Sequence, residues 1–111
     1  MALASKPEAV THLVQIDKTG ERNIDYRPGL LWVHINDHVR FVGNHNLVIY
    51  FPSGSPFAVS TLRGGAGLDT PGPDGQQVVN GPGLYHYHVI LTDSDGQVLA
   101  FDTGCPSIGV D

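Results

Sequence analysis

An all-β sandwich or small barrel is the fold class this sequence predicts, and three observations predict it. Apolar residues alternate with period two wherever they concentrate, as they do on a half-buried strand. Fourteen glycines and eight prolines punctuate the chain into short segments, and no stretch sustains the i, i+3, i+4 spacing of a long amphipathic helix without meeting one of them. The 111 residues, 41% of them hydrophobic, fill one modest core and not two, so residues 1–111 are expected to form a single domain.

The elements follow in order. The first strand is expected from Val10 to Asp17, ending at the turn-like Lys18-Thr19-Gly20. Leu30 to Asn36 comes next, with Leu31, Val33 and Ile35 on one face, Trp32 and His34 on the other, and Asn36-Asp37 as its break. Val39, Phe41 and Gly43 alternate with His38, Arg40 and Val42, and Leu47 to Phe51 follows after Asn44-His45-Asn46. Residues 52 to 83 hold most of the Gly and Pro, including Gly64 to Gly67 and Pro71-Gly72-Pro73; a short helix is expected around Phe57 to Leu62 and an extended stretch from Gln76 to Asn80. Leu84 to Leu91 and Gln97 to Asp102 read as a hairpin across Thr92-Asp93-Ser94-Asp95-Gly96, where Gly supplies positive φ. Thr103 to Asp111 carries too few apolar residues to predict an element.

Charge narrows the partners. The net charge is −5, and beyond Arg63 every charged residue is an acid: Asp69, Asp74, Asp93, Asp95, Asp102 and Asp111. Nucleic acids and anionic lipid need clustered Lys and Arg, so neither is an expected partner. No apolar run reaches the length of a membrane span. The single Cys105 allows no intrachain disulfide and marks no oxidising compartment. Residues 1 to 10 have neither the basic start nor the apolar stretch of a secretory signal, which reads as cytoplasmic. Ala2-Leu3-Ala4 does match the small residues of a signal cleavage point, which would place the protein in the periplasm or outside the cell.

Asn36-Asp37-His38-Val39-Arg40-Phe41-Val42-Gly43-Asn44, followed by His45-Asn46-Leu47-Val48-Ile49, resembles the cupredoxin passage in which an alternating strand leads to His-Asn and a second strand. Gly83-Leu84-Tyr85-His86-Tyr87-His88-Val89 resembles the later cupredoxin motif Gly-x-Tyr-x-Tyr/Phe-x-Cys. The resemblance implies a Greek-key β-sandwich and, at His45, a copper ligand. It departs where the chemistry sits: Val89 stands in the place of the copper-binding cysteine, no histidine follows it, and the only methionine is Met1. A type 1 copper centre needs thiolate, two imidazoles and a weak axial ligand. The resemblance therefore implies a dismantled centre, and copper-free members of the superfamily such as the ephrins serve as recognition domains.

His86 and His88 are i and i+2 of one strand and share a face, a spacing that lets two imidazoles grip one ion; the plainer reading is two polar rings on an exposed sheet face. With His45 they form the candidate metal set, for copper or another divalent transition metal. His12 shares parity with Val10, Val14 and Ile16 and is expected to be buried, neutral and satisfied by backbone. Asp93 to Gly96 lacks the later ligands of a calcium loop, Gly64 to Gly67 lacks the Lys-Ser/Thr of a phosphate loop, and no nucleophile signature surrounds Cys105. The leading expectation is a non-enzymatic binding domain for a protein or small ligand, with the 52 to 83 connection as its prime surface; the alternative is an imidazole-ligated metal-binding protein. Homo-oligomer formation through a sheet edge is a further expectation.

Overall fold

The computed structural model describes residues 9–65, 75–102 and 106–111. The Ala2-Leu3-Ala4 pattern, Pro71 to Pro73 and Cys105 lie outside the described residues. Every regular element is a strand: β1 (Thr11–Thr19), β2 (Asn23–Arg27), β3 (Leu30–Val33), β4 (His38–Val42), β5 (Asn46–Tyr50), β6 (Thr61–Gly65), β7 (Gln76–Gln77), β8 (Gly83–His86), β9 (His88–Thr92), β10 (Val98–Asp102) and β11 (Ser107–Val110). The expected all-β class stands.

The strands form a four-stranded sheet in the order β2-β1-β4-β7, a second in the order β10-β9-β5-β6, and a three-stranded sheet β3-β11-β8. β8 runs through a single residue, Tyr87, into β9. Tyr87 N donates to Pro106 O at 3.0 Å, so the second and third sheets meet there as one bent layer opposite the first. Side chains alternate across each strand: Val14, Ile16, Val39 and Phe41 of the first layer meet Leu47, Ile49, Val89, Leu91, Ile108 and Val110 of the second, all buried. Tyr87 is the hub of the aromatic packing, with ring centroids 5.8 Å from Phe41 and 5.3 Å from Phe51.

Several boundaries depart from expectation. Leu84 to Leu91 is two strands, because Tyr87 bonds to Pro106 and the ladder partner changes from β11 to β10. No helix forms at Phe57 to Leu62: Ser55 Oγ accepts from Phe57 N at 3.0 Å and donates to Val59 O at 2.6 Å, and Thr61 to Gly65 pairs with β5 instead. Such local side-chain bonds compete with a helix nucleus. The strand from Leu30 stops at Val33, and Ile35, expected on the buried face, is exposed in the following turn. β2, β6 and β11 are strands the alternation did not announce. The hairpin between β9 and β10 is as expected, with Asp93 Oδ1 accepting from both Asp95 N and Gln97 N at 2.9 Å and Gly96 at φ +83°.

Candidate functional site

Two constellations gather polar or exposed apolar side chains in ways that packing alone does not require. The first is centred on Asp37, in the turn between β3 and β4. Its side chain is only 4% exposed, and its carboxylate accepts from Val10 N at 3.0 Å, from His34 N at 3.0 Å and from His12 Nε2 at 2.8 Å. Its own backbone O accepts from Val78 N at 2.8 Å. Burial pushes this carboxyl up, but the bonds from His12, Val10 and His34 outweigh it and hold Asp37 below the usual carboxylate range. His12 is thus satisfied by a carboxylate from 25 residues away and not by backbone, as its parity alone suggested. The cluster ties the start of β1, the β3–β4 turn and the segment after β7 together, which is a structural task.

The second constellation is the outer face of the second layer. Register fixes its rows: Phe101 lies opposite Ile90, Ile90 opposite Val48, and Val48 opposite Arg63; Tyr50 lies between His88 and Thr61. Val48, Tyr50, Thr61, His88, Val89, Ile90, Phe101 and Asp102 line a shallow hollow of about 360 Å³. That is within the range of small-ligand or side-chain pockets. The same parity carries the face on through His86 and Leu84 to Ser107, Gly109, Leu30 and Trp32. The Trp32 ring lies over Gly109, where an added Cβ would come within 2.4 Å of it; glycine there lets the indole lie flat. By register the acid of these strands, Asp102, lies opposite the buried Val89 but still lines the hollow, and Arg63 is the charged residue of the outward rows. Asp111, one residue past β11, faces His34 at 3.8 Å at the end of the layer.

Of the three candidate metal ligands, His86 and His88 share a face and His45 is placed apart from them. His88 and His86 project from the outer face, as their parity predicted, but Tyr87 between them divides two ladders. His88 stacks edge-on against Tyr50, centroids 6.4 Å apart, and His86 Nδ1 shares a 2.6 Å hydrogen bond with the Ser107 hydroxyl. His45 sits in the β4–β5 turn, where Nδ1 is 2.8 Å from Asn44 Oδ1. The residue opposite His88 is Tyr50, five positions along the strand from His45, which at strand rise is about 17 Å. Among the described residues no three His, Cys, Asp or Glu side chains gather as a metal site. The positions the resemblance marks therefore do not fit a type 1 centre: Val89 is a fully buried core residue opposite Ile49, and His45 is engaged at the surface.

Tyr26 and Tyr87 are the remaining perturbed groups. Burial, then the 2.7 Å bond from Tyr26 Oη to Asp102, raises the Tyr26 phenol, and burial raises Tyr87. Both stay protonated through the physiological range. The Tyr26–Asp102 bond joins β2 to β10 and so links the two layers at one edge. Sequence reasoning found neither this bond nor Asp37, since each pairs residues far apart in the chain. Compared with known proteins, the chain matches no family model, no curated protein and no solved structure.

Proposed function

We propose that this chain is a non-enzymatic, cupredoxin-like binding domain without a type 1 copper centre, and that it binds through the outer face of its second layer. One observation carries the reading: a protein of net charge −5 keeps one sheet face poor in acids, with only Asp102 among the described acids at its hollow and that carboxylate held by Tyr26 Oη, and exposes Trp32, Tyr50, Leu84, Ile90 and Phe101 there. Exposed apolar patches of that kind mark contact surfaces. The Greek-key, cupredoxin-like form is supported by the parallel pairs β1/β4 and β3/β11, which need crossovers between layers and not hairpins. It is supported as well by the passage of the chain from β4 to β5, across the layers, at Asn44-His45. The 52 to 83 connection is a lesser surface in this reading, because Thr61 to Gly65 and the Phe57–Val78 bridge bind parts of it into the sheets.

The test uses the apolar dye 8-anilinonaphthalene-1-sulfonate on the folded protein at low micromolar concentration. The dye should bind and fluoresce, Phe101→Asp should abolish most of the signal, and Leu13→Asp on the opposite face should leave it intact. Equal loss in both variants, or no binding to the wild type, would sink the reading.

An imidazole-ligated copper or other divalent-metal site is the alternative, favoured by one feature: the Ser107 bond fixes His86 through Nδ1 and leaves Nε2 as the ligating nitrogen. Calorimetric titration of untagged protein with Cu(II) and Zn(II) separates the two. A tight stoichiometric site lost in His86→Ala and His88→Ala, and weakening as pH falls through the imidazole range, would favour the metal.

A further inference from the structure

We infer that the partner of the acid-poor face is a second copy of this chain, docked face to face about a two-fold axis. The inference rests on the reading of that face as a binding surface and names its occupant. Three properties of the face point to self-association.

The first is charge. Two copies each carrying −5 repel one another, and a close approach is least costly where each presents the fewest acids. On the second layer the one acid at the face among the described residues is Asp102, whose carboxylate accepts from Tyr26 Oη at 2.7 Å, whereas the outer face of the first layer carries Asp17 and Asp25. Because a two-fold interface places the same patch on both sides, a face whose described charged residues are one cation, Arg63, and one acid, Asp102, meets itself at less electrostatic cost than one carrying several acids.

The second property is area. Phe101 is 68% exposed and Trp32 54%, and Tyr50, Leu84, Leu30 and Ile90 are exposed as well. Phe101, Tyr50 and Ile90 gather at the hollow, and Leu84, Leu30 and Trp32 continue the face on the three-stranded sheet, Leu84 lying six residues, about 20 Å, along the β8–β9 run from Ile90. With Asn46, Thr61, Arg63, His86, His88 and Thr92 as a polar surround, the face approaches the ~800 Å² that each partner buries in a standard interface.

The third is shape. Phe101 projects from β10 at the rim of the hollow whose floor is Val48, Ile90 and Tyr50. A knob and a hole side by side on one patch are self-complementary: a two-fold axis between them seats the Phe101 of each copy in the hollow of the other. Sheets meeting this way pack about 10 Å apart with interdigitated side chains.

Sedimentation equilibrium of the full chain, from low micromolar to high micromolar concentration, tests the inference. A reversible monomer–dimer equilibrium is expected, tightening as salt screens the net charge. Phe101→Asp should raise the dimer dissociation constant by about 30-fold or more, as loss of a central aromatic anchor does. Ile90→Asp should act in the same direction, and Leu13→Asp, at a residue 55% exposed on the other face, should change nothing. Circular dichroism and thermal melts of each variant establish that a monomeric variant is folded. A wild type that stays monomeric throughout, or a dimer that survives both Phe101→Asp and Ile90→Asp in folded protein, overturns the inference. If the wild type is monomeric while the dye still binds in a Phe101-dependent way, the face is a binding surface for another partner and only the self-association fails. If dye binding also ignores Phe101, the reading of the face falls with it.

Discussion

The two outer faces of this sandwich are built from strands of similar length over one shared core, yet they treat charge in opposite ways. On the first layer Gln15, Asp17, Asp25 and Arg27 satisfy one another: Arg27 reaches Asp17 at 3.2 Å and Asp25 at 3.3 Å, and Gln15 donates to Asp17 at 2.9 Å. That face is solvated and closed on itself. On the second layer the same outward positions carry aromatic and aliphatic side chains, and the face is poor in acids. The lesson is that burial demands explain the inner faces of both sheets and neither outer one; the outer faces differ because one carries paired charges and the other exposed apolar side chains.

The comparison breaks most readily through what the faces share. Phe41 touches both Phe57 and Tyr87 in the core, and Phe41→Ala should cost about 4 kcal/mol in denaturant unfolding, with both layers lost in a single transition. Separate transitions for the two layers would show that they are not one cooperative unit.

Asp37→Ala comes next, at about 2 kcal/mol, because three part-buried donors lose a buried charged acceptor. The sign of its pH dependence is fixed by the lowered carboxyl. The folded value lies below the ordinary 3.8, so the contribution is fully present above that ordinary value and disappears as pH falls through the folded one. Acid unfolding of the wild type should therefore be steeper below the ordinary carboxylate pKa than that of Asp37→Asn. Parallel curves would contradict the assignment.

Tyr87→Phe sharpens the view of the interior. The Tyr87 side chain is 1% exposed, and its hydroxyl has no hydrogen-bond partner among the described residues, so removing it should stabilise the protein by about 1 kcal/mol. A loss of that size would reveal a partner. Smallest of all, Arg27→Ala should shift monomer stability by less than about 0.5 kcal/mol and by less still in high salt, since the guanidinium is largely exposed. A larger cost would mean that the polar face is more than a solvated one.

How much of this was legible in the sequence follows the range of each interaction. The inner faces of β4 and β5 could be read from Val39, Phe41, Leu47 and Ile49, because alternation is local and all four are buried. So could the β9–β10 turn, from Asp93 and Gly96. β2 was missed because Asn23-Ile24-Asp25-Tyr26-Arg27 offers only two apolar side chains, and β11 because Gly109 interrupts its pattern. The helix expected at Phe57 failed on a bond from Ser55 that no periodicity encodes. Of the candidate site, the shared face of His86 and His88 was visible as parity. Their separation from His45 depends on strand register, and Asp37 depends on a partner 25 residues away; neither is a property of a local stretch.

The placement of β11 also bears on how the protein is made. Residues 107–110 lie between β3 and β8, parallel to one and antiparallel to the other, and all four are buried. A chain emerging from the ribosome can assemble the β2-β1-β4-β7 sheet early, but Trp32, Leu84 and the edges of β3 and β8 have nothing between them until those four residues arrive. Pairings that wait on distant segments are slow, and an unfilled slot between two strands is an invitation to a foreign one. Nascent protein should therefore be most in need of a chaperone in the interval after β8 has emerged and before β11 has.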